Sequence, residues 1–252
     1  MKFSLVIPSF NDDRILETIE SINEQNFNRH DIEVIIMDAC SEADLLKKIR
    51  NTLKPNDRLY VEKDDGIFDG INKGILKSSG DIIFTLGSDD KLAYKDAIKD
   101  IVYQFQDNSI DFLCSDLIYT DQNWLPVRYW PATLPNFFNF LIGKQVGHFA
   151  FAAKRDLYNE VGLFNKDLFV SADFDFFLRL GKTGLMGKKF KKIVTFMKLG
   201  GNSSKNMRNV YKGNKQMFGV AFSHYGPFAI IHFILKVVWK AKEYNAARKL
   251  PN

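Results

Sequence analysis

Short apolar runs alternate with segments of helical periodicity along the first half of the chain, and this alternation restricts the fold more than any other feature. Continuous apolar runs are typical of strands that are covered on both faces. The predicted strands are Phe3–Ser9, Ile32–Ala39, Leu59–Glu62, Asp81–Leu86 and Asp111–Tyr119. The segments between them repeat apolar residues at helical spacing, as Ile15, Ile19 and Ile22 do. Strands separated by helices predict an α/β fold with a mostly parallel sheet flanked by helices.

Polar and acidic side chains follow three of these strands, at the point where each strand ends. Ser9 and Asn11 follow the first strand, Asp38 closes the second, and Asp89 and Asp90 come shortly after the fourth. In parallel sheets, ligands bind beyond the carboxyl ends of the strands. We therefore expect these residues to meet at one edge of the sheet and to form a binding site.

The composition fits a folded domain in a reducing compartment. The 252 residues suit one α/β domain with an appendage, and 46% hydrophobic and 26% charged residues exclude global disorder. Cys40 and Cys114 lie in no metal-ligand spacing and are too few for a disulfide framework. The first residues lack the long apolar stretch and cleavage site of a signal peptide. We therefore expect a cytoplasmic protein.

Positive charge is concentrated towards the C-terminal end. Residues 181–252 contain 15 Lys and Arg residues against one acid, Glu243. Phe228–Trp239 is the most apolar stretch there, but it is shorter than the roughly 20 residues that span a bilayer. A helix lying on an anionic membrane surface fits this pattern, and so does a packing or dimerisation helix. We expect no nucleic-acid partner, because the aromatic content of the segment fits lipid better.

Asp89 and Asp90 form a pair of adjacent carboxylates. Two such groups repel each other unless a cation is present, and Mg²⁺ is often held by one or two carboxylates together with substrate phosphates. The pair is therefore a candidate divalent-cation site. The alternative is a solvated loop that caps the following helix.

The segment Asp64–Gly74 begins a helix with carboxylates at the positive end of its dipole, which is an ordinary capping arrangement. Asp69 and Asn72 lie three residues apart on one helical face. Gly70 and Gly74 each cost about 1 kcal/mol inside a helix. Glycines at that cost indicate close packing or ligand contact on a neighbouring face.

Ser171–Asp175 places a carboxylate at a helix start among phenylalanines. Low-dielectric surroundings raise the pKa of a carboxylate and make it a better base, so Asp173 is a candidate general base. Helix capping by Ser171 or Asp173 explains the pattern equally well. His148 is a lone histidine, which is more often structural than catalytic. The loop Gly200–Ser204 is either a phosphate-binding loop or a linker.

Several segments resemble the family-2 inverting glycosyltransferases, which have the GT-A fold, over a region from about Met1 to Ser204. The segments are VIPSFND, IIMDA, DDGIFDGINKGILKSSGDIIFTLGSDD, GHFAFAAKRDLYNEVGLFN, SADFDFFLRL and LGGNSS. The third is the most specific, and the last resembles the G-G-x-S loop of the bacterial polysaccharide and lipopolysaccharide branch. The motifs of P-loop ATPases, dinucleotide-binding folds, zinc peptidases and α/β-hydrolases are absent from the sequence.

The resemblance implies a role for each candidate residue. The residues implied to bind the nucleotide are Pro8, Ser9, Asn11, Asp38, Asp64, Asp69 and Asn72. Asp89 and Asp90 would hold Mg²⁺ or Mn²⁺, with Asp90 the direct ligand. Asp173 would be the catalytic base and His148 would lie near the acceptor. Ala172 departs from the pattern, because the family has Glu before that base.

The resemblance also implies an activity and a location. It implies a metal-dependent inverting glycosyltransferase that moves a sugar from a nucleotide-diphosphate sugar, commonly UDP-linked, to a glycan or lipid-linked acceptor in cell-surface polysaccharide synthesis. A GT-A domain would span residues 1–205. A basic amphipathic helical tail over residues 206–252 would contact the inner face of the cell membrane or a second subunit of a homodimer. The alternatives are a sugar nucleotidyltransferase and a non-catalytic sugar-nucleotide-binding or scaffold protein.

Overall fold

The protein folds around a mixed β-sheet, and the computed structural model describes residues 1–168, 170–200 and 207–249. The strands are β1 (Phe3–Ser9), β2 (Ile32–Asp38), β3 (Arg58–Val61), β4 (Ile82–Thr85), β5 (Asp90–Leu92), β6 (Phe112–Thr120), β7 (Pro126–Trp130), β8 (Phe151–Lys154) and β9 (Gly187–Lys198). The helices are α1 (Ile15–Asn23), α2 (Ala43–Thr52), α3 (Ile67–Lys77), α4 (Ala97–Gln104), α5 (Phe137–Leu141), α6 (Leu157–Val161), α7 (Ala172–Leu180), α8 (Met207–Tyr225) and α9 (Phe228–Ala247). Within the described residues the strand order is β3-β2-β1-β4-β8-β6-β9-β5, and β7 pairs with β6.

The strand directions confirm the predicted α/β fold. Strands β1 to β4 run parallel. Strand β8 is antiparallel to both β4 and β6, so β6 runs in the direction of β4, and β9 is parallel to β6. The carboxyl ends of β1, β2, β4, β6 and β9 therefore lie at one edge of the sheet. The antiparallel strands β5, β7 and β8 are short, at three to five residues, and the sequence pattern did not reveal them.

Both faces of the sheet are covered. All residues of β1 and β2 are buried. Leu5 and Ile7 pack in the same cluster as Ile19 of α1, whereas Val6 packs in a second cluster with Ile71 of α3. This division follows from the alternation of side chains along a strand. The continuous apolar sequence of β1 is thus the result of helices on both sides.

Gly74 brings α3 into direct contact with the sheet. A Cβ at this position would lie 2.3 Å from Cγ1 of Val6 and 3.1 Å from Cγ of Met37. Only a residue without a side chain allows this approach, which confirms the prediction of close packing at the helical glycines. The fit fixes α3, and with it the loop Asp64–Gly66 that precedes the helix.

The C-terminal helices pack against the rest of the protein. Helix α9 contacts β7, α5 and α8. His232 of α9 is fully buried, its ring stacks on Phe140 with centroids 4.5 Å apart, and its Nδ1 lies 2.6 Å from the Phe140 carbonyl oxygen. Gly143 (φ +82°) approaches α9 so closely that a Cβ there would lie 2.3 Å from the Lys236 backbone nitrogen. Among the described residues, no helix is both long enough and apolar enough to span a bilayer.

Two sequence-based predictions fall partly on residues 201–206, which lie outside the described part of the chain. One is the boundary between residues 205 and 206, and the other is the loop that begins at Gly200. Both stay predictions.

Replacing Gly74 with Ala should destabilise the protein by about 1–3 kcal/mol, because the added methyl group overlaps Val6 and overpacking outweighs the better helix propensity of Ala. Gly219 in α8 is the matched control, since no atom lies within 4 Å of its Cβ position. There the same change should stabilise by up to about 1 kcal/mol. Denaturant unfolding measures both effects, and a Gly74→Ala variant as stable as the wild type would contradict the packing described.

Candidate active site

The predicted residues after β1, β2 and β4 do lie at a common edge of the sheet. Ser9 and Asp38 are neighbours in the parallel register of β1 and β2. Asp90 begins β5, and it is paired with Met197 near the end of β9. Loops from the first half of the chain therefore converge with the last strand of the sheet.

Asp90 is almost fully buried at this edge, with 1% of its surface exposed. Its Oδ1 accepts a hydrogen bond from the Lys198 backbone N–H at 3.3 Å, while its Oδ2 is buried without a hydrogen-bond partner. Burial raises the pKa of Asp90 well above its usual range, and the charge of Asp89 raises it further. A buried carboxylate oxygen that lacks a partner and stands beside a second carboxylate fits a divalent cation.

Asp89 forms an ion pair with Arg14, a residue that sequence reasoning missed. Its Oδ2 lies 3.2 Å from a guanidinium nitrogen of Arg14, and Arg14 also binds Asp12 through Nε and Nη2 at 2.8 Å. Burial raises the pKa of Asp89, and the charge of Arg14 opposes that rise. Thr18 of α1 holds the backbone at Asp90 in place, because its Oγ1 donates to the Asp90 carbonyl oxygen at 2.6 Å.

The donor set suits a cation that takes few protein ligands. The described residues contain no cluster of three or more His, Cys, Asp or Glu side chains arranged to hold a metal ion. Mg²⁺ and related ions are commonly held by one or two carboxylates, with waters and substrate phosphates completing the coordination. Asp89 and Asp90 fit that mode and do not fit a closed structural site.

Asp38 and Asn11 brace the two loops that follow β1 and β2. Asp38 is 1% exposed, and its two carboxylate oxygens accept hydrogen bonds from the backbone N–H and the hydroxyl of Ser41, each at 2.7 Å. The Ser41 hydroxyl oxygen accepts from the Asn11 N–H at 2.7 Å, and Asn11 Oδ1 accepts from the Glu42 N–H at 2.9 Å. Asn11 has a positive φ of 46°, a conformation that Asn tolerates better than most residues. A contact between Asp38 and a nucleotide base stays a prediction.

Ser9, Pro8 and Asp64 line the same region. Ser9 is 5% exposed, and its Oγ is buried without a hydrogen-bond partner. Asp64 accepts a hydrogen bond from the Gly66 N–H at 3.0 Å, and burial raises its pKa. Both Asp64 and Pro8 approach Gly70, where a Cβ would lie 3.0 Å from Asp64 Oδ2 and 3.7 Å from Pro8 Cβ. The second helical glycine thus makes room for a candidate site residue.

Asp69 and Asn72 are already engaged within the protein. Asp69 pairs with Lys73 at 3.0 Å and accepts from the Asp65 N–H at 3.1 Å. Asn72 donates to the Phe164 carbonyl oxygen at 2.8 Å and accepts from the Phe164 N–H at 3.0 Å. The amide of Asn72 therefore ties α3 to the segment before α7. Direct donor contacts by these two residues stay predictions.

His148 lies among aromatic side chains, next to the last residue of β4. Its Nε2 lies 3.0 Å from the Thr85 hydroxyl, and its ring stacks on Phe149 and Phe68 with centroids 4.8 Å and 6.0 Å apart. Burial lowers the pKa of His148 to about 3, so the imidazole is neutral at physiological pH. The side chain is therefore suited to positioning or hydrogen bonding and not to carrying charge.

Asp173 lies in the first turn of α7 and borders a cavity of about 100 Å³. Its Oδ1 accepts from the Phe174 N–H at 2.7 Å. Burial raises the pKa of Asp173 to about 6, although the Phe174 hydrogen bond and the charge of Lys236 act to lower it. The group is thus mainly deprotonated at neutral pH and has the basicity that a general base needs.

Tyr119 connects the two halves of the site. It lies near the end of β6, and burial raises the pKa of its hydroxyl. The charges of Asp90 and Asp173 both raise that pKa further, so both carboxylates lie within electrostatic reach of one phenol group. That the metal-site candidate and the base candidate share one cleft stays a prediction. Sequence reasoning missed Tyr119, because its contacts arise from pairing between distant strands.

Comparison with known proteins agrees with this geometry. The profile described as Glycosyl transferase family 2 matches residues 4–162, which include the candidate nucleotide and metal residues but end before Asp173. A PGL/p-HBAD biosynthesis glycosyltransferase of Mycobacterium bovis is 26% identical over 209 residues, covering 80% of this chain and 79% of that protein.

Two solved structures show the same fold. S. aureus TarS 1-349 in complex with UDP-GlcNAc has a TM-score of 0.69 at 19% identity, covering 93% of this chain and 70% of that one. The mannosyltransferase PcManGT from Pyrobaculum calidifontis, in complex with GDP-Man and Mn²⁺, has a TM-score of 0.70 at 17% identity, covering 98% and 73%. These likenesses confirm the predicted GT-A fold. Because the family profile spans more than half of the sequence, the chain belongs to glycosyl transferase family 2 and is a glycosyltransferase.

Proposed function

We propose that this glycosyltransferase is metal-dependent and inverting, and that it moves a sugar from a nucleotide-diphosphate sugar to a glycan or lipid-linked acceptor in cell-surface polysaccharide synthesis. The observation that carries the proposal is the presence of two unusual carboxylates whose charges both act on Tyr119, namely Asp90, which is buried with an unpartnered oxygen, and Asp173, whose pKa is about 6. The first suits a cation-bound diphosphate, and the second suits removal of a proton.

The donor part of the proposal rests on the loops after β1 and β2 and on the related enzymes. Two structural neighbours of the same fold are complexed with UDP-GlcNAc and GDP-Man. In this chain Pro8, Ser9, Asn11, Asp38 and Asp64 would form the nucleotide pocket, with Asp69 and Asn72 supporting it from α3. The base that we propose is uracil, so the donor is a UDP-sugar.

The metal part rests on Asp90 and Asp89. When bound there, Mg²⁺ or Mn²⁺ neutralises the charge that develops on the leaving diphosphate. Asp90 would be the direct ligand, because its free oxygen is buried and shielded from competing water. Asp89 and Arg14 would set the electrostatic balance around that ligand.

The chemical step is a single in-line displacement. Asp173 takes the proton of an acceptor hydroxyl, whose oxygen bonds to the anomeric carbon as the bond to the diphosphate breaks. The diphosphate leaves with the electron pair of that bond, and the configuration at carbon inverts. His148, neutral and buried among phenylalanines, would support the acceptor side.

Replacing Asp173 with Asn should reduce sugar transfer by orders of magnitude, because the amide keeps the shape of the side chain but accepts no proton. Donor affinity should be unchanged. In the wild type, kcat/KM should rise with pH through about 6, as Asp173 loses its proton, and level off near neutrality. Asp167→Asn is the matched control, since Asp167 is an exposed carboxylate of the preceding segment. Near-normal turnover of the Asp173 variant would reject the assigned base.

Replacing Asp90 with Asn should weaken the binding of UDP in the presence of Mn²⁺ by at least about tenfold, because the charged ligand of the cation is lost. UDP binding without metal should change little. Calorimetric titration with and without MnCl₂ measures the difference. Asp13→Asn serves as the control, because the Asp13 side chain is 74% exposed and pairs only distantly with Lys48 at 3.6 Å. Equal Mn²⁺ dependence in the Asp90 variant and the wild type would refute this metal site.

The location that we propose is the inner face of the cell membrane, with α8 and α9 in contact with anionic lipid. Large apolar side chains are exposed along these helices, namely Tyr211, Phe218, Phe222, Phe228, Ile230, Ile231, Ile234, Val237 and Val238. Lys240, Lys242, Arg248 and Lys249 lie on α9 or just after it. Each basic residue near an anionic leaflet contributes about 1 kcal/mol of attraction.

Replacing Ile234 and Val237 with Asp should abolish flotation with phosphatidylglycerol vesicles, because two charges enter the apolar face. Binding by the wild type should weaken as salt is added, owing to screening of the lysines. Substitution is a cleaner test than deletion of α9, since deletion would expose Phe140 beneath His232. If the wild-type protein does not bind the vesicles and sediments as a dimer, the exposed apolar side chains of α8 and α9 form a subunit interface instead.

A further inference from the structure

A second cavity, of about 180 Å³, lies between the β6–β7 hairpin and α9. Cationic and aromatic side chains dominate its lining, including Arg128, Lys236, Lys240, Tyr119, Trp130 and Trp239. Nothing in the nucleotide, metal or base assignments uses this cavity. Its chemistry is that of an anion site with flat apolar walls.

The cavity carries more positive charge than its one acid can neutralise. Arg128 binds Glu243 through Nε at 2.7 Å, and its guanidinium lies 4.5 Å from the ring centre of Trp130. This pair is fixed and nearly neutral. Lys236 and Lys240 form no ion pair with any carboxylate of the described residues. The two lysines therefore leave an uncompensated positive charge at the cavity wall.

Lys236 is held in this position although the setting disfavours its charge. Gly143 packs against its backbone nitrogen, which fixes the register of α9. Its Nζ lies 2.9 Å from the sulfur of Met217 and 5.2 Å from the ring centre of Phe233. Burial lowers the pKa of Lys236 to about 8. An anion in the cavity would supply the missing counter-charge.

The cavity lies next to the candidate base. Trp130 and Gln145 line both this cavity and the smaller one that Asp173 borders. The charge of Asp173 also acts on Lys236. The larger cavity therefore adjoins the one that an acceptor must enter to reach Asp173.

Helix α9 presents two different faces. Lys236, Trp239, Lys240 and Glu243 line the cavity at the i, i+3, i+4, i+7 spacing of one helical face. Ile230, Ile234 and Val237 follow a neighbouring face and are exposed by 52%, 64% and 70%. An anionic group bound by the first face would thus lie beside an apolar surface.

We propose that the cavity formed by Arg128, Lys236 and Lys240 binds a phosphate group of a lipid-linked acceptor, whose hydrocarbon chain lies along the exposed apolar face of α9. This inference rests on the proposed transfer to an acceptor and assigns that acceptor a chemical class. The phosphate contact orients the acceptor so that its sugar hydroxyl reaches Asp173. The apolar face explains why the phosphate belongs to a lipid and is not a free ion.

Intrinsic fluorescence tests the proposal directly, because two of the three tryptophans, Trp130 and Trp239, line the cavity. The full-length protein is titrated with dodecyl phosphate below its micelle concentration, with dodecyl maltoside as the neutral probe, and with inorganic phosphate. Dodecyl phosphate should bind more tightly than either of the others. Lys236→Gln should weaken that binding by about tenfold or more, since a charge-assisted hydrogen bond is lost.

Lys240→Gln is a second variant, since Lys240 is exposed and its replacement leaves the packing of α9 intact. It should weaken dodecyl phosphate binding as well. Lys47→Gln removes the same charge from the exposed face of α2 and should leave binding unchanged. Equal binding of dodecyl phosphate and dodecyl maltoside, or wild-type binding in both cavity variants, would overturn the proposal.

Two further results would also overturn it. Inorganic phosphate that binds as tightly as dodecyl phosphate would indicate a site for the free ion. Flotation with phosphatidylglycerol vesicles that depends on Lys236 as strongly as dodecyl phosphate binding does would indicate a site for bulk lipid headgroups. Measuring UDP-GlcNAc hydrolysis by the same proteins distinguishes a failure of this inference from a failure of the proposed function. Hydrolysis without phosphate selectivity rejects only this inference, whereas phosphate selectivity without hydrolysis or transfer rejects only the proposed function.

Discussion

Burial of the Asp90 carboxylate is the constraint on which the site depends. One of its oxygens is bonded to the backbone of β9, and the other is buried without a partner beside the charge of Asp89. An ionised carboxylate in such a place is costly unless a positive charge compensates it. In the proposed enzyme, a cation that is itself held by a diphosphate would provide that compensation. Ionisation of Asp90, cation binding and donor binding are therefore expected to be linked.

The fold creates this constraint by joining early loops to late strands. Parallel pairing of β1, β2 and β4 brings their carboxyl ends together, and β9 closes over them through its pairing with β5 and β6. Helix α7 then adds Asp173, whose charge acts on Tyr119 as that of Asp90 does. In the proposed enzyme, the nucleotide loops bind the donor, α7 supplies the base, and α9 serves both the acceptor and the membrane. His232 and Gly143 hold α9 against the protein, so that one face of the helix lines the cavity and another stays exposed.

Much of the fold and part of the site follow from local patterns in the sequence. The apolar runs predict the five strands that form most of the parallel core, and the polar residues after them predict the binding edge. The glycines of α3 predict close packing, which Gly74 and Gly70 provide. Local sequence patterns do not predict the partner of a side chain when that partner is distant in the sequence. The Asn72 amide is hydrogen-bonded to the backbone of Phe164, and the Asp38 carboxylate oxygens accept hydrogen bonds from Ser41. Arg128 binds Glu243, which lies 115 residues away in the sequence. No spacing rule within one segment reveals such partners.

The most direct measurement is a crystal structure of the protein with UDP and Mn²⁺. The account predicts the metal ion bound to Asp90 through the oxygen that now lacks a partner, with the diphosphate on its open side and the Asp173 carboxylate facing the same cleft. A metal ion bound away from Asp90, or an Asp173 side chain separated from the diphosphate by the body of the protein, would contradict it.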